Sequence, residues 1–408
     1  MIKVKIKNFG PIQKGYLDGE NLLEVRRVTV FIGNQGSGKS TVAKLISLLI
    51  WIEKAMVKGT IRQDELNTNN RFVKELAYQR IDKYLKPNTQ IEYEGQAFTI
   101  KYENGIFGAK KSDNNGYLLP KIMYAPAERT FLSVVDRPDK LKNLPRTLYT
   151  FNDEFDHAKD LYADGLQLPI NNVTFEYDKL NKIAHIVGEN RSFKLRLSEA
   201  SSGFQSTVPL YLVTKYLSDR LTAEEDPSIQ ETSLEDQKKI EKEVKSIMED
   251  TLLTPEVRQA YLRQISAKRK PVCFVNIVEE PEQNLFPSSQ QGVLYELLKY
   301  ANQAAGNKLI LTTHSPYLIN YLTLAVKANM LKDKKPTGAL GHKLQEIVPF
   351  HASINADDLV IYELDETTGT IKKLETYNGL PSDENELNEK LGESNELFAQ
   401  LLEIQQSL

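Results

Sequence analysis

The stretch Gly33–Ser40, GNQGSGKS, fits the spacing G-x-x-x-x-G-K-[ST], and no other feature restricts the fold of this chain as tightly. Its chemistry demands a particular context. Glycines let the backbone turn its amides inward, and a helix opening at that point adds the positive end of its dipole, which suits an anion such as phosphate. The flanks supply this context. Val28–Ile32, VTVFI, reads as a short buried strand, and TVAKLISLLIWI after Ser40 carries apolar residues at helical spacing. Strand, loop and helix in that order predict a nucleotide-phosphate site formed by Gly33, Asn34, Gln35, Gly36, Ser37, Gly38, Lys39, Ser40 and Thr41. Lys39 would reach the β and γ phosphates and Ser40 would ligate Mg²⁺.

Such a loop needs acids at the end of a second buried strand. Residues 272–280, VCFVNIVEE, are largely apolar, are interrupted by Asn276, and end in Glu279 and Glu280 before Pro281 stops the strand. Glu279 is placed to hold the Mg²⁺ shell. Glu280 points the other way and is placed to polarise an attacking water. A third run, NKLILTTHS at 307–315, ends in His314, whose imidazole can donate from one nitrogen while accepting at the other, as a γ-phosphate sensor would. In LSEASSGFQSTVPLYLVTKYL, residues 197–217, Ser201, Ser202 and Gly203 precede a long apolar-periodic helix, so their hydroxyl and amide groups suit either a phosphate or a plain N-cap.

Taken in order, these segments resemble the ABC-type ATPases of the SMC, RecF and OLD group, often grouped as AAA-family ATP-binding proteins. IKNFGPIQKGYLDG resembles that group's first strands, FIGNQGSGKST its Walker A, SSGFQS its signature, VEEPEQNLFP its Walker B and following loop, and LTTHSP its switch histidine. MYAPAERTFLS, from Met123, is similar to a segment of the OLD-like branch. Glu279 stands where most ABC ATPases have Asp, and Phe204 where the signature has a second Gly, so only Ser202, Gly203 and Gln205 carry over. No Q-loop glutamine can be placed, and Glu128 and Arg129 occupy roughly that region. The resemblance implies an α/β ABC-type P-loop head with a mixed sheet, helical insertions and a small α/β C-terminal extension. It also implies ATP and Mg²⁺ as cofactors, Glu280 and His314 as catalytic groups, and Glu279 and Ser40 at the metal. Ser202, Gly203 and Gln205 would act in trans across a homodimer or higher oligomer.

Composition bounds the remaining choices. A chain of 408 residues exceeds a typical single core, and a net charge of −3 gives no bulk attraction to nucleic acid or anionic membrane, so any DNA contact needs a local basic patch. One cysteine, Cys273, excludes an internal disulfide, and MIKVKIKNFG lacks an apolar leader core, so a cytoplasmic protein without membrane spans is expected. The expected organisation is an ATPase domain at 1–218 and 271–322, a charged helical insertion at 219–270, and an extension at 323–408. Within the last, DDLVIYELDETTGTIKKLE reads as a hairpin turning at TTGT, followed by an acidic helical tail. No nuclease signature or zinc-like His/Cys spacing is evident. The expected function is a slow ATPase whose ATP-dependent dimer controls a separately encoded effector, a nuclease or toxin, as in the Septu-type phage-defence ATPases that this chain resembles. The alternative is a RecF-like DNA-repair ATPase that clamps DNA itself; a transporter subunit fits KNFGPI and EEPE poorly.

Overall fold

The computed structural model describes residues 2–112, 116–135, 138–141, 143–222 and 271–407. The core is a seven-stranded mixed sheet in the order β2-β16-β15-β4-β14-β13-β8. Its strands are β2 (Gly15–Tyr16), β4 (Val28–Gly33), β8 (Pro120–Ala125), β13 (Cys273–Glu279), β14 (Lys308–Thr312), β15 (Leu359–Asp365) and β16 (Thr370–Lys373). From β15 across to β8 all neighbours are parallel. Parallel strands are covered on both faces, which is why β4 and β13 are buried along their whole length rather than in alternation.

The two faces bury separate clusters. Val28, Val30 and Ile32 of β4 pack with Val208 and Leu212 of the helix Ser202–Thr222, Leu294 of the helix Pro287–Asn302 and Leu322 of the helix Pro316–Lys332. Phe31 faces the other way, into a cluster with Val42, Ile46 and Leu49 of the helix Lys39–Val57. Beyond that helix lies a five-stranded antiparallel sheet in the order β3-β1-β5-β6-β7. Its strands are β1 (Ile2–Lys7), β3 (Leu23–Val25), β5 (Gln90–Glu94), β6 (Phe98–Glu103) and β7 (Ile106–Lys111). Ile2, Val4 and Ile6 alternate inward with Ile91, Tyr93 and Ile100, so the Lys39–Val57 helix is enclosed between two sheets. A smaller antiparallel sheet joins β9 (Leu166–Gln167), β10 (Thr174–Asp178), β11 (Ile183–Val187) and β12 (Lys194–Arg196).

The α/β class with a mixed sheet is as expected. The hairpin also forms where TTGT places it, with Asp365 opposite Thr370. Its first strand, β15, pairs directly with β4, Ile361 beside Val30, so the expected boundary between 322 and 323 crosses one continuous sheet. The tail is the helix Glu386–Ser407, which exposes Leu397, Phe398, Leu401 and Ile404. Of the insertion expected at 219–270, residues to Thr222 continue the helix begun at Ser202, and residues 223–270 lie outside the described residues.

Asn276, the polar break in β13, is buried and donates to Thr214 Oγ1 at 3.2 Å, pinning the sheet to the Ser202–Thr222 helix. Cys273, at the start of the same strand, is buried 3 % exposed, and burial pushes its thiol up to about 11.

Candidate functional site

The sheet register brings the predicted residues to one edge. Glu279 ends β13 opposite Thr312 of β14, and Thr312 lies opposite Phe31 of β4. The crossover continues past the strands: Glu280 N donates to Thr312 O at 2.9 Å, and Thr313 N to Phe31 O at 3.1 Å. The Gly33 loop, the acid pair and His314 therefore leave the carboxyl ends of three adjacent strands, the edge at which open α/β sheets bind ligands.

The loop turns tightly because its glycines allow it. Gly33 has φ 136°, and a Cβ there would stand 2.3 Å from Leu364 O of β15. Gly38, at φ 104°, caps the Lys39–Val57 helix, and a Cβ on it would meet Ile12 Cδ1 at 2.7 Å. Both positions exclude side chains. Lys39 is 6 % exposed and folds over the loop, Nζ donating to Gly33 O at 2.7 Å and Asn34 O at 2.8 Å. Burial brings its pKa down to about 8, with Glu280, Glu386, Glu282 and Glu366 opposing the fall. Ser37 is fully buried with its hydroxyl unpartnered among the described residues; Asn34, Gln35 and Gly36 are exposed, and Ser40 and Thr41 open the helix.

Glu279 is 4 % exposed. Its Oε2 accepts from Ala127 N at 3.1 Å, whereas Oε1 is buried without a partner among the described residues. Burial first, and then the charge of this carboxylate, raise the Tyr124 pKa well above the usual tyrosine value. An orphaned carboxylate oxygen and the Ser40 hydroxyl at the helix start are the hard oxygen donors that Mg²⁺ prefers, so these two residues fit the ion. Glu280 is half-buried and left-handed at φ 44°, which turns its side chain out of the strand. Its Oε1 is 3.7 Å from His314 Nε2. Burial and the nearby Lys39 ammonium hold His314 below the usual histidine pKa, so at neutral pH the imidazole is uncharged.

Ser202 and Gly203 begin the long helix, Ser202 exposed. Gly203 is pressed against the loop that follows the acids, since a Cβ there would lie 2.9 Å from Asn284 O. The Gln205 amide donates to Ser198 O and Ala200 O, both at 3.0 Å, shaping the turn before the helix.

Several contributors escape a reading of the sequence. Glu282 Oε1 accepts from Thr313 Oγ1 and from His314 N, both at 2.8 Å, and so fixes the histidine segment. Burial raises the Glu282 pKa. Its place in EEPE was the only available signal. Glu366, beyond β15, accepts from Asn34 Nδ2 at 2.8 Å. Glu386 enters the field of Lys39 from the first turn of the C-terminal helix, where its N–H donates to Glu363 Oε1 at 2.9 Å. Arg129, which the sequence offers with Glu128 only as a candidate for the Q-loop region, is fully buried behind the acids, donating to the carbonyls of Glu279 at 2.6 Å and Glu280 at 2.7 Å; Glu128 precedes it in the same short 3-10 turn.

Among the solved structures similar to the chain, three are covered across most of their length. The SMC head domain from Thermotoga maritima is 9 % identical at a TM-score of 0.38, with 92 % of this chain and 98 % of that one covered. An Smc head bound to the C-winged helix domain of ScpA is 8 % identical at 0.41, covering 91 % and 96 %. An Smc head with an extended coiled coil, bound to the C-terminal domain of ScpA derived from Pyrococcus furiosus, is 7 % identical at 0.38, covering 98 % and 100 %. No curated protein matches the chain. No described helix is long and apolar enough to cross a membrane. The family described as AAA ATPase domain matches residues 1–260, well over half of the sequence and the whole of the glycine-rich loop, and the chain belongs to that family.

Proposed function

We propose that the chain binds Mg-ATP and hydrolyses it at sites shared between two copies, and that the ATP-bound dimer controls a separately encoded effector in defence against phage. The observation that carries the catalytic part is the meeting of Lys39, Glu280 and His314 beyond the carboxyl ends of β4, β13 and β14. On this reading the inward amides of the loop and Lys39 bind the β and γ phosphates. Ser40 and Glu279 would hold Mg²⁺, which would supply neutralisation of phosphate charge when bound. Glu280 accepts a proton from the attacking water, and neutral His314 donates a hydrogen bond to the γ-phosphate while its segment is held by Glu282.

The shared site follows from the family resemblance, in which Ser202, Gly203 and Gln205 face the nucleotide of a second copy. The exposed apolar face of Glu386–Ser407 and the exposed Ser202 leave surfaces for a second chain or an effector. Mixing Lys39→Ala with Ser202→Arg tests the composite arrangement, because each mixed dimer holds one intact site and one doubly damaged site. Two separately inactive variants should regain ATPase activity together. Continued inactivity, with mixed dimers demonstrated by co-purification of two differently tagged variants, would refute independent composite sites. Co-purification of a nuclease or toxin supports the effector. Salt-dependent DNA binding by the chain alone would instead favour a RecF-like clamp.

A further inference from the structure

Arg129 has surroundings that a structural arginine rarely has. It is fully buried, and its hydrogen-bond partners in the described residues are all main-chain carbonyls. Nε donates to Ser206 O at 3.1 Å, Nη1 to Pro126 O at 3.1 Å and Glu279 O at 2.6 Å, and Nη2 to Glu280 O at 2.7 Å. Burial lowers its pKa to about 10, with Glu282, Glu279, Glu280 and Glu128 opposing the fall, so it remains charged at neutral pH.

The three segments it joins have different duties. Ser206 lies in the first turns of the helix that opens with Ser202 and Gly203, Glu279 ends the acid-bearing strand with Glu280 directly after it, and Pro126 leads into the 3-10 turn that carries Arg129 itself. The same junction is closed at other points. Ser206 Oγ donates to Gln283 O at 2.7 Å, Ser133 Oγ donates to Gln205 O at 2.7 Å, and Gly203 abuts Asn284 O. Glu280 meanwhile holds a left-handed backbone at φ 44°, a conformation that a non-glycine residue keeps only when its surroundings impose it.

The geometry points to Arg129 as a positioning residue that fixes the Glu280 carboxylate by its own main chain and transmits the position of the Ser202–Gly203 helix start to it. The transmission rests on the composite-site reading. There a chain's Ser202 and Gly203 touch the partner's nucleotide while its Glu280 serves its own, so Arg129 would link the two ATP sites of one dimer. The planar fork reaches three segments at once. Lysine, with one ammonium, cannot hold all four carbonyls in that geometry.

Arg129→Lys is the test, with urea unfolding run alongside. The expected result is a folded protein whose ATP affinity by calorimetry stays within about threefold of wild type, since no phosphate contact is removed. Its kcat should fall at least about tenfold, and any cooperativity in ATP should decline toward a Hill coefficient of about 1. Should the lysine variant not fold, Ser133→Ala weakens the same junction by one hydrogen bond, and kcat should fall about two- to fivefold with affinity unchanged. A folded variant with unaltered kcat overturns the proposal. So does a parallel loss of affinity and stability, which marks Arg129 as a packing residue only. A wild-type protein that turns over ATP as a monomer refutes the composite reading separately; the positioning role then stands or falls on kcat alone.

Discussion

Replacing Lys39 with methionine should make the nucleotide-free protein more stable, although it removes the cation that the loop would offer to phosphate. The ammonium is 6 % exposed, and its pKa falls from an ordinary 10.5 to about 8 on folding. At about 1.4 kcal/mol per pH unit, keeping it charged at neutral pH costs the fold about 3 kcal/mol. Methionine fills a similar volume without charge. The carbonyls of Gly33 and Asn34 lose Nζ, but Asn34 is exposed and water can replace part of that, a loss of about 1–2 kcal/mol. The net expectation is a gain of about 1–2 kcal/mol at neutral pH. The sign with pH is fixed by linkage. Between about pH 8 and 10.5 the unfolded chain holds the lysine proton and the folded chain does not, so wild-type stability rises with pH across that window relative to the variant. Urea unfolding of both proteins without nucleotide, at neutral pH and again near the upper end of the window, measures the gap. A variant less stable than wild type at neutral pH, or a gap that does not shrink as pH rises, would refute the reasoning.

The remaining expectations concern the acid and the histidine. Glu280→Gln should bind ATP as wild type does yet hydrolyse it at least about a hundredfold more slowly, because a general base acts in the transition state; unaltered turnover in a phosphate-release assay would move that role elsewhere. His314, held below its ordinary 6.5 by burial and Lys39, takes up its proton more readily unfolded than folded, so it removes stability as pH falls below about 6.5. His314→Gln should flatten that part of the acid-unfolding curve, and an unchanged curve would place the acid sensitivity in other groups.

What could be read from the sequence was chemistry concentrated in short segments. Lys39 lies within a loop whose strand and helix are adjacent in the chain, and Glu279, Glu280 and His314 end apolar runs that announce buried strands. The hairpin at TTGT was legible for the same reason. Its neighbour was not, because the pairing of Ile361 with Val30 joins residues from opposite ends of the sequence and nothing local in either strand names the other. Arg129 is the sharper case. Three of its four acceptors are backbone atoms 77, 150 and 151 residues away, and a carbonyl carries no mark of residue type. Glu366 and Glu386 stayed hidden likewise: they reach the loop only because β15 is inserted beside β4.

The buried thiol at the foot of β13 has a practical consequence. Cys273 is the only cysteine in the sequence, is 3 % exposed, and has a pKa raised to about 11, so at pH 8 only about one molecule in a thousand carries a thiolate, enclosed in the sheet. The folded protein is thus chemically silent toward maleimides without any cysteine having to be removed. A single cysteine introduced at exposed Leu401 would take a fluorophore selectively, and distances between labelled copies could be followed as nucleotide is added.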